Sequence, residues 1–151
     1  MRDQPDGGHI FNMDGAGADG GATPRFAAYG ASKRGLEQLG KSLRSELRML
    51  GLKQIGIHNL SPGMVTTELL MAGSDTKIAR FFINCLAEEP ASVAAALVPR
   101  IRRVPEESRS VLGGVVGGGG QYIRFLTKPT AFGQIFRRLI AGERKDRHIK
   151  E

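Results

Sequence analysis

The sequence predicts an α/β protein built on a parallel sheet, and three observations carry that reading. Gly8-His9-Ile10-Phe11-Asn12-Met13 is a short apolar run ending at a turn, the pattern of a buried strand. Leu36, Leu39, Leu43, Leu47 and Leu50 recur at three- and four-residue spacing inside a stretch from about Arg25 to Leu50, the apolar stripe of a long helix. Gln54-Ile55-Gly56-Ile57-His58-Asn59-Leu60 is then a second strand. Two strands joined through a helix by short connections run parallel, because an antiparallel pair needs only a tight turn.

Between the first strand and the helix lies a flexible, glycine-rich loop, Asp14 to Pro24. It contains G-x-G-x-x-G at Gly15, Gly17 and Gly20, but a dinucleotide fingerprint also needs a helix opening at once and an acid at the end of the next strand. Here Pro24 delays the helix, and the next strand ends in Asn59-Leu60-Ser61-Pro62, so the loop is not read as a phosphate cradle. Arg34, Glu37, Lys41, Arg44 and Arg48 occupy the other faces of the helix, with Gly51 as its C-cap. His58 reads as a packed strand residue rather than a ligand. Residues 74–86 and 90–103 read as two helices, and Pro105 to Gly120 as a loop whose glycine run, Gly113 to Gly120, is a flexible linker. Strand-like Gln121–Thr127 follows, so no helix N-terminus is available there for a pyrophosphate. A basic terminal helix with Arg137 and Arg138 carries the apolar face Phe132, Ile135, Phe136, Leu139 and Ile140. That face is expected to dock on its own domain or to meet a membrane surface. The division read from sequence is 1–127 for the α/β part and 128–151 for a basic amphipathic helical tail.

Composition narrows the function. With 151 residues, 40% of them apolar, the chain holds enough material for one domain. Three histidines and the single Cys85 give no metal-ligand cluster and no disulfide framework, and a lone thiol fits a reducing compartment. Cys85 reads as a small core residue. No apolar run approaches the roughly 20 residues of a spanning helix, and residues 1–7 are neither a signal core nor an Arg/Ser-rich transit segment. The net charge of +7 is uneven: Arg100, Arg102, Arg103 and Arg109 cluster, and residues 128–151 hold seven Lys/Arg against three Asp/Glu. No aromatic platform accompanies the charge, which argues against nucleic acid as partner. An anionic membrane surface or a phosphate-bearing cofactor fits it.

The chemistry centres on Tyr29-Gly30-Ala31-Ser32-Lys33. Tyr29 and Lys33 stand four apart, one turn from each other on one helix face. An ordinary tyrosine titrates near pH ~10 and acts as an acid or base near neutrality only with help, and a neighbouring ammonium favours the phenolate. The second strand opens into Ser61-Pro62-Gly63-Met64-Val65-Thr66-Thr67-Glu68. In open parallel sheets ligands bind beyond the carboxyl ends of strands. This loop, the Asp14–Thr23 loop and Tyr29 all belong to that edge, which points to an active site.

Strand, loop, Tyr29-x-x-x-Lys33 helix, strand and Pro62-Gly63-x-Val65-x-Thr67 resemble the carboxyl-terminal half of a short-chain dehydrogenase/reductase. The resemblance implies the last three strands of a Rossmann-type doubly wound sheet, with helices on both faces and the amphipathic helix at the end. It implies Tyr29 as general acid/base and Lys33 as its partner and ribose ligand. Asn12, Met13, Tyr29, Lys33, Pro62, Gly63, Val65 and Thr67 are then the cofactor-binding candidates, with no metal. A narrower similarity covers roughly residues 8–140. Phe11-Asn12-Met13-Asp14-Gly15-Ala16-Gly17, Thr23-Pro24 before Tyr29-Gly30, and Ser61 to Thr67 look like the chlorophyll b reductases of the non-yellow-colouring type. That implies NADPH-dependent reduction of the formyl group of chlorophyll b to hydroxymethyl. It further implies a chloroplast location at the stromal face of thylakoids, peripheral membrane contact, and a homo- or hetero-oligomer with related reductase subunits.

Two departures from the family pattern shape the expectations. No strand with a Gly-x-x-x-Gly-x-Gly turn precedes Gly8, so the chain is read as beginning at the fifth strand of a seven-strand sheet, a fragment or truncated gene model. The family's carbonyl-binding serine is replaced by Asp14, Gly15 and Ala16, which leaves Thr23 as the candidate hydroxyl. Alternative readings are a reductase of another hydrophobic carbonyl, which Met64, Leu69, Leu70 and Met71 would suit, or a non-catalytic remnant acting in assembly.

Overall fold

The computed structural model describes residues 1–5, 7–109 and 120–151. The elements are β1 (Gly8–Met13), α1 (Ala27–Met49), β2 (Ile55–Ser61), α2 (Glu68–Ala72), α3 (Lys77–Leu86), α4 (Pro90–Arg109), β3 (Tyr122–Arg124) and α5 (Lys128–Ala141). They form two compact units, Met1–Ser61 with Pro99–Ile123, and Pro62–Val98 with Arg124–Glu151. Each unit joins separated stretches of sequence, and the terminal helix belongs to the second.

In the first unit the strands lie in the order β1-β2-β3, with β1 and β2 parallel and in register from Gly8 opposite Ile55 to Met13 opposite Leu60. The ladder continues one step past β1, where the Asp14 N–H donates to the Leu60 carbonyl at 2.8 Å. α1 packs on β2, where Arg44 donates to the Ile57 carbonyl at 3.2 Å. Leu36, Leu43 and Leu47 are half-buried and Gly40 is buried, whereas Leu39, Met49 and Leu50 are exposed. The packed stripe is thus narrower than the leucine pattern suggested. α1 starts at Ala27 rather than Arg25 because Arg25 takes a positive φ of 69°, outside the right-handed helical region. Its far end is a Schellman turn as the sequence implied. Gly51 adopts φ 68°, its N–H donates to the Arg48 carbonyl, and Leu52 donates to Leu47.

In the second unit three threonines begin the helices. Thr67, Thr76 and Thr127 each accept a backbone N–H with the side-chain oxygen, from Leu70, Ala79 and Thr130, which caps α2, α3 and α5. Such a cap contributes about 1 kcal/mol. The short α2 starts at Glu68, the last residue of the loop read from sequence, and was not anticipated, and the Thr76 cap moves the start of α3 inward from residue 74 to Lys77. β3 is shorter than the strand expected over 121–127, because Thr127 is taken up as the α5 cap. α4 runs on through Pro99 and Pro105 to Arg109 rather than ending at 103. Its fully buried Val104 anchors the stretch just before the second proline. Of the glycine linker expected at 113–120, all but Gly120 lies outside the described residues.

α5 packs against α3, and Arg138 lies 5.7 Å from the centre of the Phe81 ring. On α5, Ala131, Gln134, Ile135 and Arg138 are partly covered. Phe132, Phe136, Leu139 and Ile140 point away and remain 63–70% exposed. Most of the apolar face therefore does not dock on its own domain. Beyond α5 the terminal segment folds back onto α3. The Asn84 amide donates to the Ile149 carbonyl at 2.7 Å and to Glu151, and its oxygen accepts the N–H groups of His148 and Ile149. Glu88 takes both Arg144 (2.7 Å) and Arg147 (2.8 Å). The guanidinium hydrogen bond from Arg147, joined by that of Arg144, holds its carboxyl below the usual glutamate range. Cys85 is fully buried beside this clasp, as expected of a core residue, and burial raises its thiol pKa.

Candidate active site

The site is assembled in the first unit, at the carboxyl end of β1. The chain leaves Met13, crosses the Asp14–Thr23 loop and returns in α1, so the first two turns of the helix stand beside the end of the strand. Lys33 donates from Nζ to the Met13 carbonyl at 3.0 Å, which ties the helix to the strand end. The same ammonium sits 5.4 Å from the centre of the Tyr29 ring. The two predicted catalytic residues are therefore neighbours in space, as their spacing implied. Tyr29 is 39% exposed, so its phenol is accessible.

The loop is laid tightly on the helix. Arg34 donates to the Ala18 carbonyl at 2.9 Å, and Gly17 lies against Gly30 with no room for a side chain between them. Asp14 closes the loop mouth, its carboxylate accepting the Gly15 N–H and the Tyr122 hydroxyl. Thr23 donates to the Phe26 carbonyl at 3.1 Å and lies against Gly30. Its hydroxyl, the candidate for a substrate carbonyl, takes part here in the turn that opens α1. The loop residue found against the phenol is Gly15.

Behind the pair lies a polar layer that sequence reasoning missed. Buried Asn59 donates to Glu37 at 2.5 Å, and Glu37 also faces Lys41 at 3.6 Å. Asn12 Nδ2 is buried without a hydrogen-bond partner among the described residues, and Asn12 lines a small cavity with Lys33, Glu37 and Asn59. Tyr29, Lys33 and Glu37 follow one helix face at steps of four, and that spacing was the available signal. A second missed feature is a histidine pair across β1 and β2. His58 Nε2 and His9 Nδ1 are 2.9 Å apart, His58 Nδ1 accepts the Gln121 N–H at 3.0 Å, and Phe11 stacks on the His58 ring. His58 is 2% exposed, and burial, reinforced by the charges of His9 and Arg44, lowers its pKa from 6.5 to about 4. Among the described residues no group of three or more His, Cys, Asp or Glu that could hold a metal ion occurs.

The Pro62–Thr67 motif is carried by the second unit. Gly63 takes φ 73°, and a Cβ there would press on Leu126, so both backbone and space call for glycine. Val65 bridges to Glu88, where the Thr66 N–H donates to the Glu88 carbonyl at 3.0 Å. The Thr67 hydroxyl is the α2 cap already described.

With this geometry in view, the comparison with known proteins decides the family. The sequence profile described as short chain dehydrogenase matches residues 1–78, just over half of the chain. The chain belongs to the short chain dehydrogenase family. Two curated relatives match along its full length. The chlorophyll(ide) b reductase NOL, chloroplastic, of Oryza sativa subsp. japonica is 52% identical over 151 residues, and that of Arabidopsis thaliana is 53% identical. The rice protein named "Probable chlorophyll(ide) b reductase NYC1, chloroplastic" is 44% identical over 129 residues, 85% of this chain. The chain spans 42% and 41% of the lengths of the two NOL relatives. No solved structure shows a significant match. For this short chain dehydrogenase the three-stranded parallel sheet and its α1 crossover fit the Rossmann-type fold read from the sequence.

Site residues can be tested against the dinucleotide that family membership implies. An ammonium has three N–H donors. Lys33 directs one to Met13, leaving two for acceptors such as ribose hydroxyls, and no hydrogen bond among the described residues engages the Tyr29 hydroxyl. The pair is free to meet such a group.

Proposed function

We propose that this chain carries the catalytic part of a reductase that uses NADPH to convert the formyl group of chlorophyll b to hydroxymethyl. The observation behind this reading is the accessible Tyr29 beside Lys33 at the end of β1, in a chain half identical throughout to two chlorophyll(ide) b reductases. The nicotinamide, when bound, supplies the hydride that adds to the formyl carbon. Tyr29 gives its phenolic proton to the carbonyl oxygen as negative charge builds there. Lys33 fixes the phenol from one side and offers its remaining donors to the ribose. Met13 contributes its carbonyl to hold Lys33, and Asn12 supports the strand end. Pro62, Gly63, Val65 and Thr67 are the remaining cofactor-binding candidates, with Gly63 supplying the positive φ that the turn requires.

The exposed α5 face suits peripheral contact with an anionic membrane on the stromal side of thylakoids, with Lys128 and Arg137 exposed on the same helix. Exposed Leu39, Met49 and Leu50 suit pairing of related subunits through α1. The deciding experiment supplies the longest natural polypeptide carrying this sequence with chlorophyll b and NADPH. Formation of the hydroxymethyl pigment, identified by mass, supports the reading. Reduction of other hydrophobic aldehydes with none of the pigment would move it to the alternative substrate class.

A further inference from the structure

We propose that Gly15 is a positioning residue for the catalytic phenol, and that a side-chain hydroxyl at this position has no part in binding the substrate carbonyl. This rests on the reading of Tyr29 as proton donor. A Cβ built on Gly15 would overlap the Tyr29 hydroxyl, stand 2.9 Å from Cζ of the ring and 3.2 Å from Cε of Lys33. The first two contacts lie below the closest approach of real Cβ atoms, so any side chain at residue 15 displaces the phenol, the loop or both.

The surroundings leave little freedom for the loop to yield. Gly15 is tied to Asp14 through its N–H, and Asp14 is held in turn by Tyr122. The Ala18 N–H donates to the Gly15 carbonyl at 3.1 Å, and Ala18 itself is buried. Two residues on, Gly17 meets Gly30, the neighbour of Tyr29, so the loop is seated against the helix on both sides of the phenol. Tyr29 is the more exposed partner, and it is the group that moves. A displaced phenol loses alignment with the carbonyl oxygen, and about 1 Å of misplacement costs on the order of 100-fold in rate. Since Gly15 fills the contact beside the phenol with bare backbone, Tyr29 is left as the side chain that donates to the carbonyl oxygen.

The test compares wild type, Gly15→Ala, Gly15→Ser, Tyr29→Phe and the Gly15→Ala/Tyr29→Phe double variant in the longest natural polypeptide carrying this sequence. Gly35→Ala serves as control, because a Cβ at Gly35 meets nothing within 4 Å. Gly15→Ala and Gly15→Ser are expected to lower kcat with chlorophyll b by roughly 100-fold while leaving the NADPH Kd within about twofold. A kcat within about threefold of wild type for Gly15→Ala overturns the positioning role, and for Gly15→Ser it overturns the exclusion of a hydroxyl. Thermal melts give a readout independent of turnover. Gly15→Ala should lower Tm by roughly 2–10 °C, and by less than half as much in the Tyr29→Phe background, where the overlapping oxygen is gone. Equal losses in both backgrounds overturn the contact, and a Gly15→Ala chain that folds only with Tyr29→Phe supports it. Should Tyr29→Phe keep full turnover, the proton-donor reading falls while the melts still report on the Gly15 contact.

Discussion

Mild acid should loosen this protein through one buried histidine. His58 is enclosed by His9, Phe11 and the strand backbone, and its pKa lies at about 4, chiefly because burial disfavours the cation. In the unfolded chain the same ring titrates near its ordinary value of about 6.5. The unfolded state therefore binds a proton that the folded state refuses. The contribution of His58 is complete above about pH 6.5, declines as pH falls toward 4, and levels off below that. The whole gap amounts to roughly 3 kcal/mol, of which about 2 kcal/mol is lost between pH 8 and pH 5. For a chain of this size that is a Tm drop of roughly 4–8 °C. Urea unfolding followed by circular dichroism at the two pH values measures it directly. The comparison is His58→Asn, which keeps an acceptor for the Gln121 N–H but does not titrate. Glu88 does not enter this window, because its lowered carboxyl loses its contribution only below the ordinary glutamate range. If His58→Asn loses as much stability on acidification as wild type, the reasoning is refuted.

Three further outcomes follow from the structure. Asn84→Ala removes the four hydrogen bonds that clasp residues 148–151 and should cost about 2–4 kcal/mol. It should also open the terminal segment to protease, and unchanged cleavage would contradict the clasp. Lys33→Ala should weaken both NADPH binding and turnover, since Lys33 connects Met13 to the face of Tyr29. Unaltered cofactor affinity would count against the ribose contact. Phe136→Asp should reduce sedimentation with anionic vesicles while shifting Tm by less than about 2 °C, because an exposed position contributes little to folding. A larger loss of stability would mean that the face is packed.

The β1-α1-β2 unit was legible because its signals are local: an apolar run, a helical stripe, a second apolar run, and Gly51 where a helix must turn left-handed. The Tyr29–Lys33 pair was legible for the same reason, as a four-residue spacing fixes a shared face once the helix exists. What escaped depends on partners distant in sequence. His9 meets His58 only when β1 and β2 align, and Asn84 finds its four partners only when the chain end folds back. The destination of the terminal helix face was likewise undetermined by its own pattern. A stripe of Phe132, Phe136, Leu139 and Ile140 specifies a need for cover, yet those residues stay exposed while Arg138 meets Phe81 of α3. The hydrogen bond of Thr23 to the Phe26 carbonyl was not anticipated, although a hydroxyl three residues before an open carbonyl commonly closes the turn at a helix entrance. In the sequence Pro105 reads as the start of a loop, yet α4 runs on through it to Arg109, with Val104 buried just before it.

The most direct measurement of the central claim is single-turnover reduction of chlorophyll b by the longest natural polypeptide carrying Tyr29→Phe, alongside its NADPH Kd. With Tyr29 as the proton donor, hydroxymethyl product falls by at least about 100-fold while the Kd stays near that of wild type. Product formed at the wild-type rate would contradict the assignment of this site.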